Sequence, residues 1–260
     1  MTVTPSIKKD YLVKLAKEGK RADSRKFDEF RNIEIETGII SKAEGSARVK
    51  IGNTQVIAGI KLDVGEPYPD SPDSGVMTTA AELIPLASPD FESGPPREDA
   101  IELARVVDRG IRESKAIDLD KLCIEPGEKV WIIFIDIHII DYDGNLFDAA
   151  SLASLAALMT TVVPAERFEI GENFPLPIKE PPISCTSVKF SDIVVMDPSL
   201  NEEQIAEARL TVATDQNNDI RAMQKGLNGS FTKDEIKKVI NASIDNGKKI
   251  QEQLLKSIGK

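Results

Sequence analysis

Two cysteines and one histidine are all that this 260-residue chain offers to disulfides and soft metals. Cys123 and Cys185 are too few for a disulfide scaffold, and His138 cannot complete a Cys/His cluster, so no metal of the structural-zinc kind is expected. Long apolar runs are lacking as well. The longest is interrupted by Asp136, His138 and Asp141, short of the roughly 18 to 20 apolar residues of a membrane span, so no membrane partner is expected. The opening MTVTPSIKKDYLVKLAKEGK is charged and has no apolar stretch of the secretory kind, which points to the cytoplasm. There is no G-x-x-x-x-G-K phosphate loop and no dinucleotide fingerprint, so no nucleotide cofactor is expected. Positive charge is in deficit: the net charge is −10, and a surface of that sign repels phosphates. Any dealing with nucleic acid requires a confined basic patch.

With 41% hydrophobic residues, the chain can bury one large domain or two small ones. Its centre is Val130 to Met159, VWIIFIDIHIIDYDGNLFDAASLASLAALM. Val130 to Ile140 is apolar and rich in β-branched residues, the pattern of a buried strand. Asp141-Tyr142-Asp143-Gly144-Asn145 breaks the run into a turn. Ala149 to Met159, alanine and serine set among Leu152, Leu155 and Leu158, is apolar on nearly every face and reads as a buried helix. A central strand turning sharply into a central helix makes a packed α/β layer.

Around that unit the elements follow from spacing. Asp10 to Glu18 reads as a short helix capped by Gly19, with Tyr11, Leu12, Leu15 and Ala16 on one side. A basic loop follows, Lys20-Arg21-Ala22-Asp23-Ser24-Arg25. Asn32 to Glu36 suits a first strand. Ala47, Val49 and Ile51 alternate before Gly52-Asn53, and Val56, Ala58, Ile60, Leu62 and Val64 alternate after it, which predicts a hairpin. Gly65 to Gly75 is a proline- and aspartate-rich exposed connection. Val76 to Leu86 is a strand, and a helix enters behind Pro95-Pro96 with Ala100, Leu103, Ala104, Val107 and Ile111 as its apolar stripe. Pro164 to Pro182 carries five prolines and reads as a long connection. Beyond it, Ser184 to Phe190 and Ile193 to Met196 are short strands, Glu202 to Glu207 a helical turn, and Leu210 to Thr214 pairs with Ile220 to Lys225. Thr232 and Glu235 have capping-box spacing at the start of a C-terminal helix. The second half thus repeats the first, hairpin then helix.

Candidate chemistry is sparse. On the helix behind Pro96, Glu98, Glu102, Arg105, Arg109 and Arg112 share a stripe opposite the apolar face. Acids first and bases last suit the helix dipole, and Glu102 with Arg105 or Asp108 with Arg112 make ordinary surface pairs. The alternative is that Arg105, Arg109 and Arg112 present guanidinium groups to a phosphodiester chain. His138 sits in mid-strand, where a satisfied core histidine is expected rather than a catalytic one. Asp197, Glu202 and Glu203 lie close in sequence, suited to a metal or proton transfer, and equally to the acidic first turn of a helix.

Gly45-Ser46 with Gly52-Asn53-Thr54, ELARVVDRGIRES, Asp143-Gly144-Asn145 before an alanine-rich helix, and a strand ending at Asp197 together resemble the RNase PH family. Lys20 to Arg25 is similar to its R-P-D-G-R entry motif, with Ala22 and Ser24 as departures. Within the family the chain is similar to the non-catalytic ring subunit of the archaeal exosome. The resemblance implies an α/β (α+β) RNase PH-like fold of two related βα halves, mixed sheets packed against helices. It divides the chain into an N-terminal helix and basic loop at 1–29, a first half at 30–165 and a second half with the C-terminal helix at 166–260. It implies a hexameric ring, a trimer of heterodimers with a catalytic RNase PH-like paralogue, that degrades single-stranded RNA from the 3′ end with inorganic phosphate beneath RNA-binding cap proteins. It implies RNA contact for Arg105, Arg109 and Arg112.

The departures from the family define the role. Active members follow the turn with a Thr-Arg or Ser-Arg pair that grips phosphate, where this chain has Leu146 and Phe147. Their D-L-x-x-x-E-D pattern reads here Asp197-Pro198-Ser199-Leu200-Asn201-Glu202-Glu203, so glutamate replaces the second aspartate. Adjacent arginines of the catalytic paralogue become Pro95-Pro96. The expectation is a subunit with no catalytic residue and no cofactor that completes a partner's active site. The alternative is an autonomous phosphate-dependent 3′ to 5′ exoribonuclease or nucleotidyltransferase using Asp197, Glu202 and Glu203.

Overall fold

A computed structural model describes residues 4–259, so the expected N-terminal segment 1–29 begins outside the described residues. The chain opens with helix α1 (Thr4–Lys17). Strands β1 (Ile33–Thr37), β2 (Gly45–Ile51), β3 (Thr54–Gly65) and β4 (Val76–Leu83) follow, then α2 (Glu98–Glu113), β5 (Cys123–Glu125), β6 (Lys129–Asp141) and α3 (Leu146–Met159). After the two-residue strands β7 (Val162–Val163) and β8 (Phe174–Pro175) come β9 (Ile183–Phe190), β10 (Ile193–Met196), α4 (Leu200–Ile205), β11 (Ala208–Thr214), β12 (Ile220–Gly226) and α5 (Lys233–Ser257). One sheet has the order β1-β2-β3-β6-β4 with β5 beside β6, and a second has the order β10-β9-β11-β12. All pairings are antiparallel except β4 against β6. That makes the first sheet mixed.

α3 lies between the sheets, against β2 and β3 on one side and β9 on the other. Its alanines explain why it fits: Phe147 to Leu158 are all buried, and small side chains let both sheets approach. α2 packs on β4, α3 and β12, and α5 on β9, β11 and β1. Together they fill one continuous core centred on Ile133, Ile135, Ile137 and Ile139 of β6. Trp131 closes its end, edge-on to Phe168 at 5.1 Å, a geometry worth about 0.5–1.5 kcal/mol beyond area burial.

Several expectations change in detail. α1 is longer than Asp10 to Glu18, and Tyr11 is exposed; Leu12 and Ala16 carry the packing, against Val188, Phe190, Val195 and Ile205. The central helix starts at Leu146, not Ala149, because Asn145 takes the left-handed conformation and turns the chain at once. His138 is not a core residue. On β6 the odd positions from Trp131 to Ile139 face the helices, which turns His138 with Ile132, Phe134, Asp136 and Ile140 to the opposite face. There its Nδ1 lies 3.4 Å from Glu82 Oε2, half exposed.

The turn after β6 is fixed by close approach. Gly144 has φ +91°, and a Cβ there would lie 2.5 Å from the backbone of Pro198, Ser199 and Leu200. Gly144→Ala is therefore expected to destabilise the chain by about 3 kcal/mol, backbone strain plus overpacking, read as a lower urea midpoint. A midpoint equal to that of the parent would show that the two turns are not in contact.

Candidate RNA interface and the filled anion site

The acids of the 197–203 segment are each engaged by a different partner. Asp197 ends the extension of β10 with φ +44° and no exposed surface. Arg31 grips it in a fork, Nε to Oδ2 at 2.9 Å and Nη2 to Oδ1 at 2.8 Å, while Arg25 Nη1 reaches Oδ2 at 2.8 Å and Asn145 Nδ2 reaches Oδ1 at 2.7 Å. Burial raises the acid's pKa, but the bonds and charge of Arg31, with the charge of Arg25, outweigh that and hold it below the usual carboxylate range. Arg31 continues to the turn, donating to the carbonyls of Asp143 at 2.7 Å and Gly144 at 3.2 Å. Glu202 forms a second buried fork with Arg21, 2.9 and 2.6 Å, and caps α4 through Ser199.

Glu203 has a different task. One carboxylate oxygen accepts the Asn145 backbone N–H at 2.8 Å and the other accepts the Tyr142 hydroxyl at 2.7 Å. Asn145 is the residue from which α3 starts. A helix start favours an anion through its free N–H groups and dipole. The chain's own carboxylate occupies that place, in the turn where the resemblance implies phosphate in active members. Burial raises the Glu203 pKa more than its two hydrogen bonds lower it, and both burial and the neighbouring Glu203 charge raise the Tyr142 phenol. One turn into α3, Asp148 is fully enclosed and pushed up to about 7 by burial, though Asn145 and Thr186 donate to it.

The arginines of α2 separate in the structure. Arg105 is exposed, with no hydrogen-bond or ion-pair partner among the described residues. Arg109 is exposed, and its one side-chain hydrogen bond among the described residues goes to Gln224 of β12, Nη1 to Oε1 at 3.1 Å. Arg112 is engaged: it pairs with Asp108 and donates to the Met77 carbonyl at 2.9 Å, which ties α2 to β4. Glu102 pairs with Arg209 of β11 rather than with Arg105. Arg209 in turn lies over the Phe147 ring, 4.0 Å from its centroid. Reasoning from sequence missed Arg31 and the pairing of Arg21 and Arg25 with acids more than 170 residues away. The entry-motif resemblance marked Arg21 and Arg25, but no local pattern marked Arg31.

Models of the 3′ exoribonuclease family, RNase PH, match residues 29–164 with its first domain and 180–246 with its second. The chain belongs to the RNase PH family. Exosome complex component Rrp42 of Methanocella arvoryzae is 56% identical over 97% of each chain, and that of Thermococcus gammatolerans is 51% identical over 99% of this chain and 97% of its own. Among solved structures, a chain of the Archaeoglobus fulgidus exosome with RNA bound to the active site superposes with a TM-score of 0.94 at 51% identity, covering 97% of this chain and 99% of that one. Rice Rrp46, at 17% identity and TM-score 0.70 over 90% of this chain and 98% of its own, shares the fold alone. The mixed α/β architecture read from sequence is thus the family's.

Burial holds the Glu203 pKa above the ordinary carboxylate value of about 4.5 that applies in the unfolded chain, so the stability of the folded chain falls as pH rises from there through the folded value. Glu203→Gln keeps a carbonyl for Asn145 and an amide for Tyr142 without the charge. The variant should gain stability over the parent in urea melts as pH rises from about 4.5 through the neutral range. A difference that stays constant across that range would mean that Glu203 titrates normally.

Proposed function

We propose that this chain is a non-catalytic, RNA-binding subunit of an exosome ring, and that it completes the active site of a catalytic RNase PH-like paralogue. The observation that carries the reading is Glu203 at the start of α3. With that carboxyl taking the Asn145 N–H, inorganic phosphate loses that donor and finds no polar side chain at Leu146 or Phe147 to hold it. The rival reading, an autonomous nuclease on Asp197, Glu202 and Glu203, needs acids that face a substrate. All three face the chain's own donors.

The ring role rests on relatives named exosome components and on neighbours described as an archaeal exosome core and an exosome with RNA bound. Its partners on this reading are the catalytic paralogue, in a trimer of heterodimers, and RNA-binding cap proteins. Arg105 and Arg109 are the groups we assign to the RNA backbone. They are exposed on one helix face, and a confined pair of guanidinium groups binds phosphodiesters even on a chain of net charge −10. Arg112 adds charge nearby while its bond to the Met77 carbonyl holds α2 on β4.

Two measurements test this. The purified chain with inorganic phosphate should release no nucleoside diphosphate from poly(A), whereas the chain assembled with its catalytic paralogue should; robust phosphorolysis by the single chain overturns the proposal. In the assembled ring, Arg105→Glu with Arg109→Glu should weaken RNA retention and flatten the salt slope by about 0.7 for each phosphate no longer neutralised. Unchanged retention at all salt concentrations removes the arginines from the RNA path.

A further inference from the structure

A cavity of about 230 Å³ opens beside the filled anion site. It is below the roughly 300–1,000 Å³ of clefts that take drug-sized molecules, so a single heterocycle is the scale it suits. Its wall is aromatic and apolar: Phe91 and Tyr142 stack with ring centroids 5.3 Å apart, Phe147 lies under Arg209, and Leu83, Leu146 and Leu227 line the rest. Leu227 is 47% exposed, an apolar side chain left uncovered on the lining. The polar groups are mostly acceptors. Asp99, Glu102 and Glu203 contribute carboxylates, against one guanidinium, Arg209, already paired with Glu102. Arg209 Nε is buried with no hydrogen-bond partner among the described residues. Such a lining repels phosphate and suits a flat, uncharged ring that brings amino donors for the carboxylates.

We propose that this cavity takes one unstacked nucleobase of the RNA strand, with the amino-bearing bases adenine, guanine and cytosine preferred over uracil. The inference rests on the RNA-binding reading and deepens it. Asp99 and Glu102 sit on the same helix as Arg105 and Arg109, with Glu102 one turn before Arg105. A strand whose phosphates follow the arginines therefore passes the cavity mouth, and carboxylates accept base amino groups while aromatic faces stack on any base.

Nucleosides, which carry no phosphate, separate the cavity from the arginines. Saturation-transfer NMR on the full-length chain should show adenosine bound through its base protons, at least threefold tighter than uridine. Ala206→Phe, which fills the cavity from its lining, should abolish the signal, and Phe91→Ala should weaken it about tenfold; each variant is checked for an unchanged melting temperature, and either one that folds suffices. Arg105→Glu with Arg109→Glu should leave adenosine binding intact while weakening oligo(A). No adenosine signal, or a signal that survives in a folded cavity variant, overturns the proposal; equal binding of uridine overturns the carboxylate preference. Loss of oligo(A) binding in the arginine variant without any adenosine binding leaves the RNA reading standing and the cavity refuted.

Discussion

One buried carboxylate, Asp197, joins the two sheets and the N-terminal segment. Arg25 and Arg31 reach it from the segment before β1, Asn145 reaches it from the start of α3, and its own backbone lies in the left-handed region at the end of β10. A charge so enclosed is tolerable only while its donors are in place. Leaving one side of such a pair uncompensated typically costs about 3–5 kcal/mol, a large share of a domain's net stability. Arg31 passes the constraint on to the carbonyls of Asp143 and Gly144, so the geometry of the turn depends on the same ion pair.

That dependence reaches the neighbouring side chains. The turn, the left-handed Asn145 and the start of α3 serve the core, and Glu203 accepts the Asn145 N–H there. Phe147 packs under Arg209, and Arg209 neutralises Glu102 on α2, which leaves Arg105 without an acidic partner among the described residues. The apolar side chain at the turn and the exposed cation on the helix are thus linked through one arginine.

Elements governed by neighbours in sequence were legible from it. The β2–β3 hairpin, the alanine-rich α3, the apolar stripe of α2 and the Thr232–Glu235 cap all follow from period, turn residues or spacing. His138 was misplaced because isoleucine stands on both faces of β6, which hides the alternation that would have shown its side. The parallel pairing of β4 with β6 was not legible, since nothing local records which edge a strand joins. In the site, the acids at 197–203 were visible but their partners were not. An ion pair between Arg21 and Glu202 leaves no periodic trace, and the sequence offers many cations for each acid.

The same Asp197 cluster also sets an order of events during synthesis. Most pairings of the first sheet, and the packing of α3 on it, lie between residues 33 and 159, so they can form from chain already made. Arg21, Arg25 and Arg31 leave the ribosome more than 160 residues before their acids at 197 and 202. Until those acids are made, Arg21 and Arg31 stand without their acidic partners and Arg25 has only Asp23 beside it. The fold is closed by contacts that span most of the sequence.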